Sequence, residues 1–352
     1  MIDTPMLIGR YVVDREIGSG GMGTVYLAYS PAGDPVAVKL IRTDRLDPVT
    51  RARFEKEALI ARTVVGTNRV ARFLDADPYA DRPWLAMEYV PGTTLAAHVE
   101  AHGPLPAALV ASLGALLAEG LAVVHATGLL HRDLKPQNVI MGEYGPVLID
   151  FGLGAFLDAA TDTLSHSGMI IGTIRYMPPE QAGGQIQVTP AADVYGLGAV
   201  LLYAGTGHHP YDGARWEAIA GQVSDPQQGP DLDGLPDPLV PMISSMLSHD
   251  PAARPTLAAV TAACTELLTT LRMTAVQARR LLVDLTTADK PPTPVPPPLR
   301  PDDPPGDVDD ALDVRPQPPA VPEEPAPASG RRPASQRVAE DLRRRYATRA
   351  VL

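Results

Sequence analysis

Glycines and charged residues recur in this sequence at spacings that suit the handling of a phosphate ester. The run Gly18-Ser19-Gly20-Gly21-Met22-Gly23-Thr24-Val25 puts glycine where backbone must turn tightly and come close to a ligand. In a dinucleotide-binding fold such a G-x-G-x-x-G pattern opens a helix, but here a β-branched run, Thr24 to Ser30, follows it. A plain hairpin turn fits that context as well. Further on, Ala37-Val38-Lys39 ends an apolar strand in a lysine, a costly placement unless anions receive the ammonium. The α- and β-phosphates of a nucleotide would supply them, and Glu57 in the next segment would hold Lys39 as an ion pair. The chain has only four lysines, Lys39, Lys56, Lys135 and Lys290, so two of them at chemically loaded positions is unlike chance.

The densest polar run is His131-Arg132-Asp133-Leu134-Lys135-Pro136-Gln137-Asn138, followed by Asp150-Phe151-Gly152. Together with the glycine run and Lys39, these residues resemble the protein kinase family. The Gly-Gly-Met-Gly loop is similar to that of bacterial kinases of the eukaryotic-like serine/threonine class. The resemblance spans about Ile8 to Leu271. It implies an ATP-dependent enzyme that transfers the γ-phosphoryl group to Ser or Thr hydroxyls of protein substrates in intracellular signalling, with autophosphorylation of its own activation segment.

Each residue then acquires an implied role, since phosphoryl transfer asks for positioning and charge neutralisation more than covalent chemistry. Asp133 would take the acceptor hydroxyl's proton, and Lys135 would neutralise the transferring group. Asn138 and Asp150 would offer oxygen ligands to Mg²⁺, with Mn²⁺ as a substitute. Ile17, Gly18, Ser19, Gly20, Gly21, Met22 and Gly23 would cover the nucleotide. The adenine would bind to the Glu88 carbonyl and Val90 amide, with Met87 as gatekeeper. Val25, Ala37 and Ile140 would enclose the ring, although any of them also suits an ordinary core position. His131 and Phe151 are implied to pack and align the catalytic loop.

The stretch from Asp150 to Pro178-Pro179-Glu180 resembles an activation segment. Its Gly172-Thr173 and Tyr176 would floor the acceptor peptide, with Thr173 pairing with Asp133 and Lys135 as in serine/threonine kinases. Asp193 would anchor the catalytic loop, and Arg254 would pair with Glu180. Ser165 and Ser167, then Thr161 and Thr163, are the candidate phosphosites. Arg132 would receive the phosphate, with Arg51 or Arg53 completing the pocket, because Arg175 is the only Lys or Arg from Phe151 to Glu180.

The elements that must position these residues are legible as well. Tyr11 to Ile17, Thr24 to Ser30 and Pro35 to Arg42 are β-branched runs between glycine and proline turns, which predicts antiparallel strands. Pro48 to Val65 is composed of good helix formers, and Val70 to Ala76 and Pro83 to Tyr89 read as further strands. From Pro106 the apolar residues Leu109, Leu113, Leu116, Leu117, Leu121 and Val124 recur at helical spacing. The expected fold is α+β and bilobal, with a ligand cleft between a sheet-rich and a helical lobe. The predicted division is an N-terminal extension at 1–10 and a kinase domain at 11–271 (small lobe 11–87, hinge 88–92, large lobe 93–271). A helical extension at 272–289 follows, then a linker at 290–330 and a tail at 331–352.

Composition limits the partners. A net charge of −11 argues against nucleic acid. One cysteine, Cys264, and no basic-then-apolar leader fit a reduced, cytoplasmic setting. The uncharged stretches Gly103 to Ala118 and Val194 to Tyr211 fall short of the roughly 20 apolar residues of a membrane span. Fifteen of the 38 prolines lie between Pro291 and Pro327, and 289–330 holds nine acids against three basic residues, the composition of a solvated linker. Residues 331–352 carry seven arginines and space Val338, Leu342 and Tyr346 as one face of an amphipathic helix. The expected partners are ATP, protein substrates and, transiently, a second copy for autophosphorylation. Two competing readings are a nucleotide-binding pseudokinase, opposed by intact Lys39, Asp133, Asn138 and Asp150, and a small-molecule kinase, opposed by Pro178 to Glu180 with Arg254.

Overall fold

Alternation along single strands sets up two layers in the first lobe. The computed structural model describes residues 6–20, 23–41, 48–64, 67–150, 173–184, 188–288 and 294, all within one unit, residues 1–297. The linker beyond Pro294 and the arginine-rich tail lie outside the described residues. Six strands, β1 (Leu7–Ile8), β2 (Tyr11–Gly20), β3 (Gly23–Tyr29), β4 (Pro35–Ile41), β5 (Phe73–Asp77) and β6 (Trp84–Glu88), form an antiparallel sheet in the order β1-β2-β3-β4-β6-β5. On β4, Val36, Val38 and Leu40 face an outer apolar layer with Ile8, Tyr11, Ala28, Trp84 and Ala86. The alternate residues Ala37, Lys39 and Ile41 lie on the other face. There Ile41 and Leu85 meet Phe54 and Ala58 of helix α1 (Pro48–Ala61), which docks the helix on the sheet.

The sheet begins earlier than the boundary predicted at residue 11, because Leu7 and Ile8 pair with Val12 and Tyr11. It also runs later than the hinge predicted at 88–92, since Glu88 still pairs with Val36 in β6 and donates its N–H to Arg72 O at 2.8 Å. The predicted strand at Val70 to Ala76 is displaced to Phe73–Asp77, and Val70 instead bridges Leu148 of the second lobe in parallel.

The second lobe is built on two nearly engulfed helices. Helix α2 (Leu95–His102) precedes α3 (Ala107–Ala126), and a small sheet of β7 (Gly92–Thr94), β8 (Val139–Gly142) and β9 (Gly145–Leu148) lies beside them. Beyond it come α4 (Pro179–Ala182), α5 (Ala191–Thr206), α6 (Trp216–Ser224), α7 (Val240–Met246), α8 (Leu257–Thr270) and α9 (Ala275–Thr286). Helix α3 is long and apolar enough to cross a membrane by length and composition alone, because it continues past Glu119, where the uncharged stretch ending at Ala118 stops. Its Val110, Leu113, Leu117, Leu121 and Val124 are fully buried in the protein's own core with Leu197, Leu201 and Cys264, which accounts for a helix apolar on every side.

One ion pair closes this lobe. The Arg254 guanidinium meets the Glu180 carboxylate in a two-pronged pair at 2.7 and 2.8 Å, donates to the carbonyls of Ser248, Ala191 and His249, and lies over the Tyr195 ring at 4.9 Å. Its side chain is 0% exposed, so it was charged and solvated before folding and recovers every lost contact from these partners. Arg254→Met strands the Glu180 charge in the interior and is expected to cost about 3–5 kcal/mol, read as a lower urea midpoint. Adding Glu180→Met is expected to restore part of that loss.

Candidate catalytic cleft

The segment from His131 to Asn138 leaves α3 and is held from beneath by one carboxylate. Asp193, 1% exposed in the first turn of α5, accepts from the His131 N–H (Oδ2, 2.8 Å) and the Arg132 N–H (Oδ1, 2.8 Å). His125, at the end of α3, meets the same Oδ2 at 2.7 Å. Burial is the strongest influence on Asp193 and opposes its charge, yet the hydrogen bonds from His125 and the His131 backbone outweigh it and hold its carboxyl below the usual range. Arg132 sits at φ 64°, a left-handed conformation that costs a non-glycine residue energy and persists because two bonds fix it. The second of these is the Gln181 amide donating to its carbonyl at 3.3 Å.

Above this floor the chemistry converges. Lys135 Nζ donates to both oxygens of Asp133, at 2.9 and 2.8 Å, and to Thr173 Oγ1 at 3.0 Å. Asn138 Nδ2 donates to the Asp133 backbone oxygen at 2.7 Å and to its Oδ2 at 3.1 Å. Asp133 and Thr173, 40 residues apart in sequence, thus meet around one ammonium, and Asn138 steadies Asp133 from the same loop. His131 is fully buried and its Nε2 donates to Ile149 O at 3.1 Å, while burial pushes its pKa down, so it acts as a neutral brace beside the cleft.

Lys39 reaches this cluster from the first lobe. Its Nζ stands 2.8 Å from Asp150 Oδ2. Burial is again the strongest influence on Asp150 and opposes its charge, but Lys39, by charge and hydrogen bond, with Lys135 behind it, holds the carboxyl below its ordinary value. Glu57, the partner expected for Lys39, lies half-buried on α1, one turn from the docked Phe54, and Asp150 is a further partner of the same ammonium.

The described residues expected to hold the nucleotide come from both lobes. In the β2–β3 hairpin Gly18 pairs with Val25, Ser19 with Thr24 and Gly20 with Gly23, while Gly21 and Met22 lie outside the described residues. Gly23 must be glycine, because a Cβ there would come 1.9 Å from Leu40 O. Val25 opposes Lys39 and Ala37 opposes Met87 across the sheet, which places them on one face. Ile17, near the end of β2, is 42% exposed. Below, half-buried Ile140 projects from β8 on the face opposite to buried Val139 and Met141, and Val90 lies over Gly142.

The described residues after Thr173 are tied to the second lobe. Tyr176 hydrogen-bonds through its hydroxyl to His209 Nδ1 at 2.7 Å, and Arg175 pairs with Asp212. Arg51, expected beside a phosphate, donates to the carbonyls of Pro78 (2.6 Å) and Ala80 (3.3 Å) in the β5–β6 turn. Phe151, Gly172 and the four candidate phosphosites, Thr161, Thr163, Ser165 and Ser167, fall outside the described residues, and of Arg53 only the backbone is described. His125 and His209 were missed in the sequence; a histidine ending an otherwise apolar helix was the available signal for the first.

A match to the protein kinase domain covers residues 11–267. The chain belongs to that family. It is 44% identical over 255 residues to the probable serine/threonine-protein kinase PkwA of Thermomonospora curvata, covering 72% of this chain and 34% of that protein. It is likewise 44% identical over 252 residues to the serine/threonine-protein kinase AfsK of Streptomyces coelicolor, covering 71% of this chain and 31% of AfsK. The chain therefore spans about a third of the length of these relatives. The kinase domain of Mycobacterium tuberculosis PknI superposes with a TM-score of 0.60 at 25% identity, covering 76% of this chain and 100% of that one. Kinases of this family use ATP with a divalent metal. The donor set fits such a metal: with Nδ2 committed to Asp133, Asn138 presents its side-chain oxygen, and ionised Asp150 lies across the cleft floor. Among the described residues no cluster of three or more His, Cys, Asp or Glu forms a metal cage, and a metal completed by substrate phosphates needs none.

Burial foremost, then the Arg175 charge, pushes the His209 imidazole down to about 4. The unfolded chain takes up that proton below about pH 6.5 and the folded protein does not, so this site loses stability as pH falls from 6.5 toward 4. The stability advantage of the wild type over His209→Asn, measured by urea denaturation, is expected to shrink across that window.

Proposed function

We propose that the chain is an ATP-dependent serine/threonine protein kinase. The observation that carries this reading is the Lys135 ammonium bridging Asp133 and Thr173, a threonine that lies in the peptide floor. Asp133, held by Lys135 and Asn138, is oriented to accept the proton of a Ser or Thr hydroxyl. Lys135 then stands beside the acceptor, where it balances charge gathering on the transferring phosphoryl group. Lys39 orients the α- and β-phosphates, and the hairpin glycines let backbone N–H groups approach them. Asn138 and Asp150 would hold a divalent metal, Mg²⁺ or Mn²⁺, whose positive charge would help neutralise the phosphates. The Glu88 carbonyl and Val90 amide would meet the adenine edge, with Ile17, Val25, Ala37 and Ile140 against its faces.

The test is transfer of labelled phosphate from ATP to a generic protein substrate. Asp133→Asn is expected to lower turnover by about 10²- to 10⁴-fold with an unchanged melting temperature, and Lys39→Met to do likewise. Nucleotide binding without transfer by the wild type would make the chain a pseudokinase and overturn the proposal.

Autophosphorylation of the activation segment belongs to the same reading, supported by Arg132 standing beside Asp133. Mass spectrometry is expected to find phosphate at Ser165 or Ser167 in the wild type and none in Asp133→Asn. The Ser165→Ala/Ser167→Ala double variant should be slower by roughly the few-fold expected from losing one ordering contact.

A further inference from the structure

The match to the family ends at residue 267, yet the chain builds one more helix onto the catalytic core. Helix α9 starts with its own capping box: Thr274 Oγ1 accepts from the Gln277 N–H at 3.2 Å, and Gln277 Oε1 accepts from the Thr274 N–H at 3.0 Å. Thr-x-x-Gln at that point fixes where the helix begins irrespective of the core. Ala278, Leu282 and Thr286 recur at every fourth position and are buried. This stripe lies against α3, β8 and β9, and Ala278 and Leu282 share one apolar cluster with Val139, Met141 and Leu148 of the β8–β9 hairpin.

That hairpin is the element whose two ends are the proposed metal ligands. Asn138 immediately precedes β8, Asp150 follows β9 by one residue, and the ends are joined by the Ile149 N–H donating to Asn138 O at 3.0 Å. Its tip is gripped as well. Tyr144 O accepts from Arg69 Nη1 at 2.6 Å and from Arg279 Nη2 of α9 at 3.0 Å. Gly145, at φ +109°, makes the turn there, and a Cβ on it would come 3.0 Å from Arg69 Nη1. The Arg69 backbone continues to the other end of β9, where its carbonyl accepts from the Leu148 N–H at 2.7 Å and the Ala71 N–H donates to Leu148 O at 2.9 Å. A strand pair held at tip, base and buried face has little freedom to tilt.

We propose that α9 is a positioning element of the catalytic cleft: with Arg69 it clamps the β8–β9 hairpin and so fixes Asn138 and Asp150 relative to each other. Leu282 supplies the apolar seat and Arg279 the polar latch. Neither touches the reacting groups, and both act through the hairpin. The proposal rests on the kinase reading for the role of the two ligands, but the clamp itself is a statement about the hairpin.

The experiment uses the full chain with Arg279→Ala, Arg279→Lys, Leu282→Ala, Val276→Ser and, as a core control away from the hairpin, Leu239→Ala. Two quantities are read: the Mg²⁺ concentration for half-maximal activity, and amide hydrogen exchange over residues 139–149 without nucleotide. Arg279→Ala and Leu282→Ala are expected to raise the Mg²⁺ requirement about 3- to 10-fold, less than the roughly 10- to 100-fold of partners touching a ligand, and to speed exchange in the hairpin selectively. Arg279→Lys should recover most of both, since one donor still reaches Tyr144 O. Val276→Ser, at an exposed position of the same helix, should change neither. The proposal is overturned if Arg279→Ala leaves both quantities unchanged, or if Leu282→Ala differs from Leu239→Ala only in global melting temperature. If the wild type transfers no phosphate, the kinase reading falls, while the exchange measurement still decides the clamp.

Discussion

A single carboxylate inside the second lobe determines where the catalytic residues stand. Asp193 ties the N–H groups of His131 and Arg132 to helix α5, with His125 steadying one of its oxygens. Without that anchor a left-handed Arg132 would relax, and Asp133 would no longer face Lys135, Thr173 and Asn138. The carboxylate bears its burial because hydrogen bonds from two elements replace the lost water. Rigidity at the floor of the cleft is therefore bought with polar groups, while the helices α3 and α5 around it are held by apolar packing.

The two small strands β4 and β8 show how one alternation serves two tasks. Even-numbered residues of β4 fill the outer core and odd-numbered ones carry Ala37 and Lys39 to the cleft. On β8, Val139 and Met141 enter the large core while Ile140 faces the cleft. A strand register is thus also a statement about which residues meet a ligand, because a shift by one residue would exchange core and site.

Much of this was legible in the sequence. Short, chemically loaded runs such as His131 to Asn138 announce themselves because their residues act together within one loop, and β-branched runs between glycine turns give the strands. What spacing does not reveal are contacts closed over long separations. Lys39 and Asp150 are 111 residues apart, and Tyr144 and Arg279 are 135 apart. Nothing local in either residue names its partner. Strand β1 is not legible because two residues carry no period, and Glu119, largely exposed at 63%, ends the uncharged run at Ala118 without interrupting helix α3. The ordering of Thr161 to Ser167 lies outside the described residues, so sequence is what speaks for those sites.

The two tryptophans are divided between the lobes, and their settings differ. Trp84 is 7% exposed in the outer layer of the sheet, edge-on to Tyr11 at 5.8 Å. Trp216 begins α6 and lies partly buried in a cluster with Ile174, the neighbour of Thr173. A buried indole emits at shorter wavelength than a wetter one, so each lobe contains its own fluorophore. Single-tryptophan versions would let light report separately on the sheet that carries Lys39 and on the segment that carries Thr173, with no label attached.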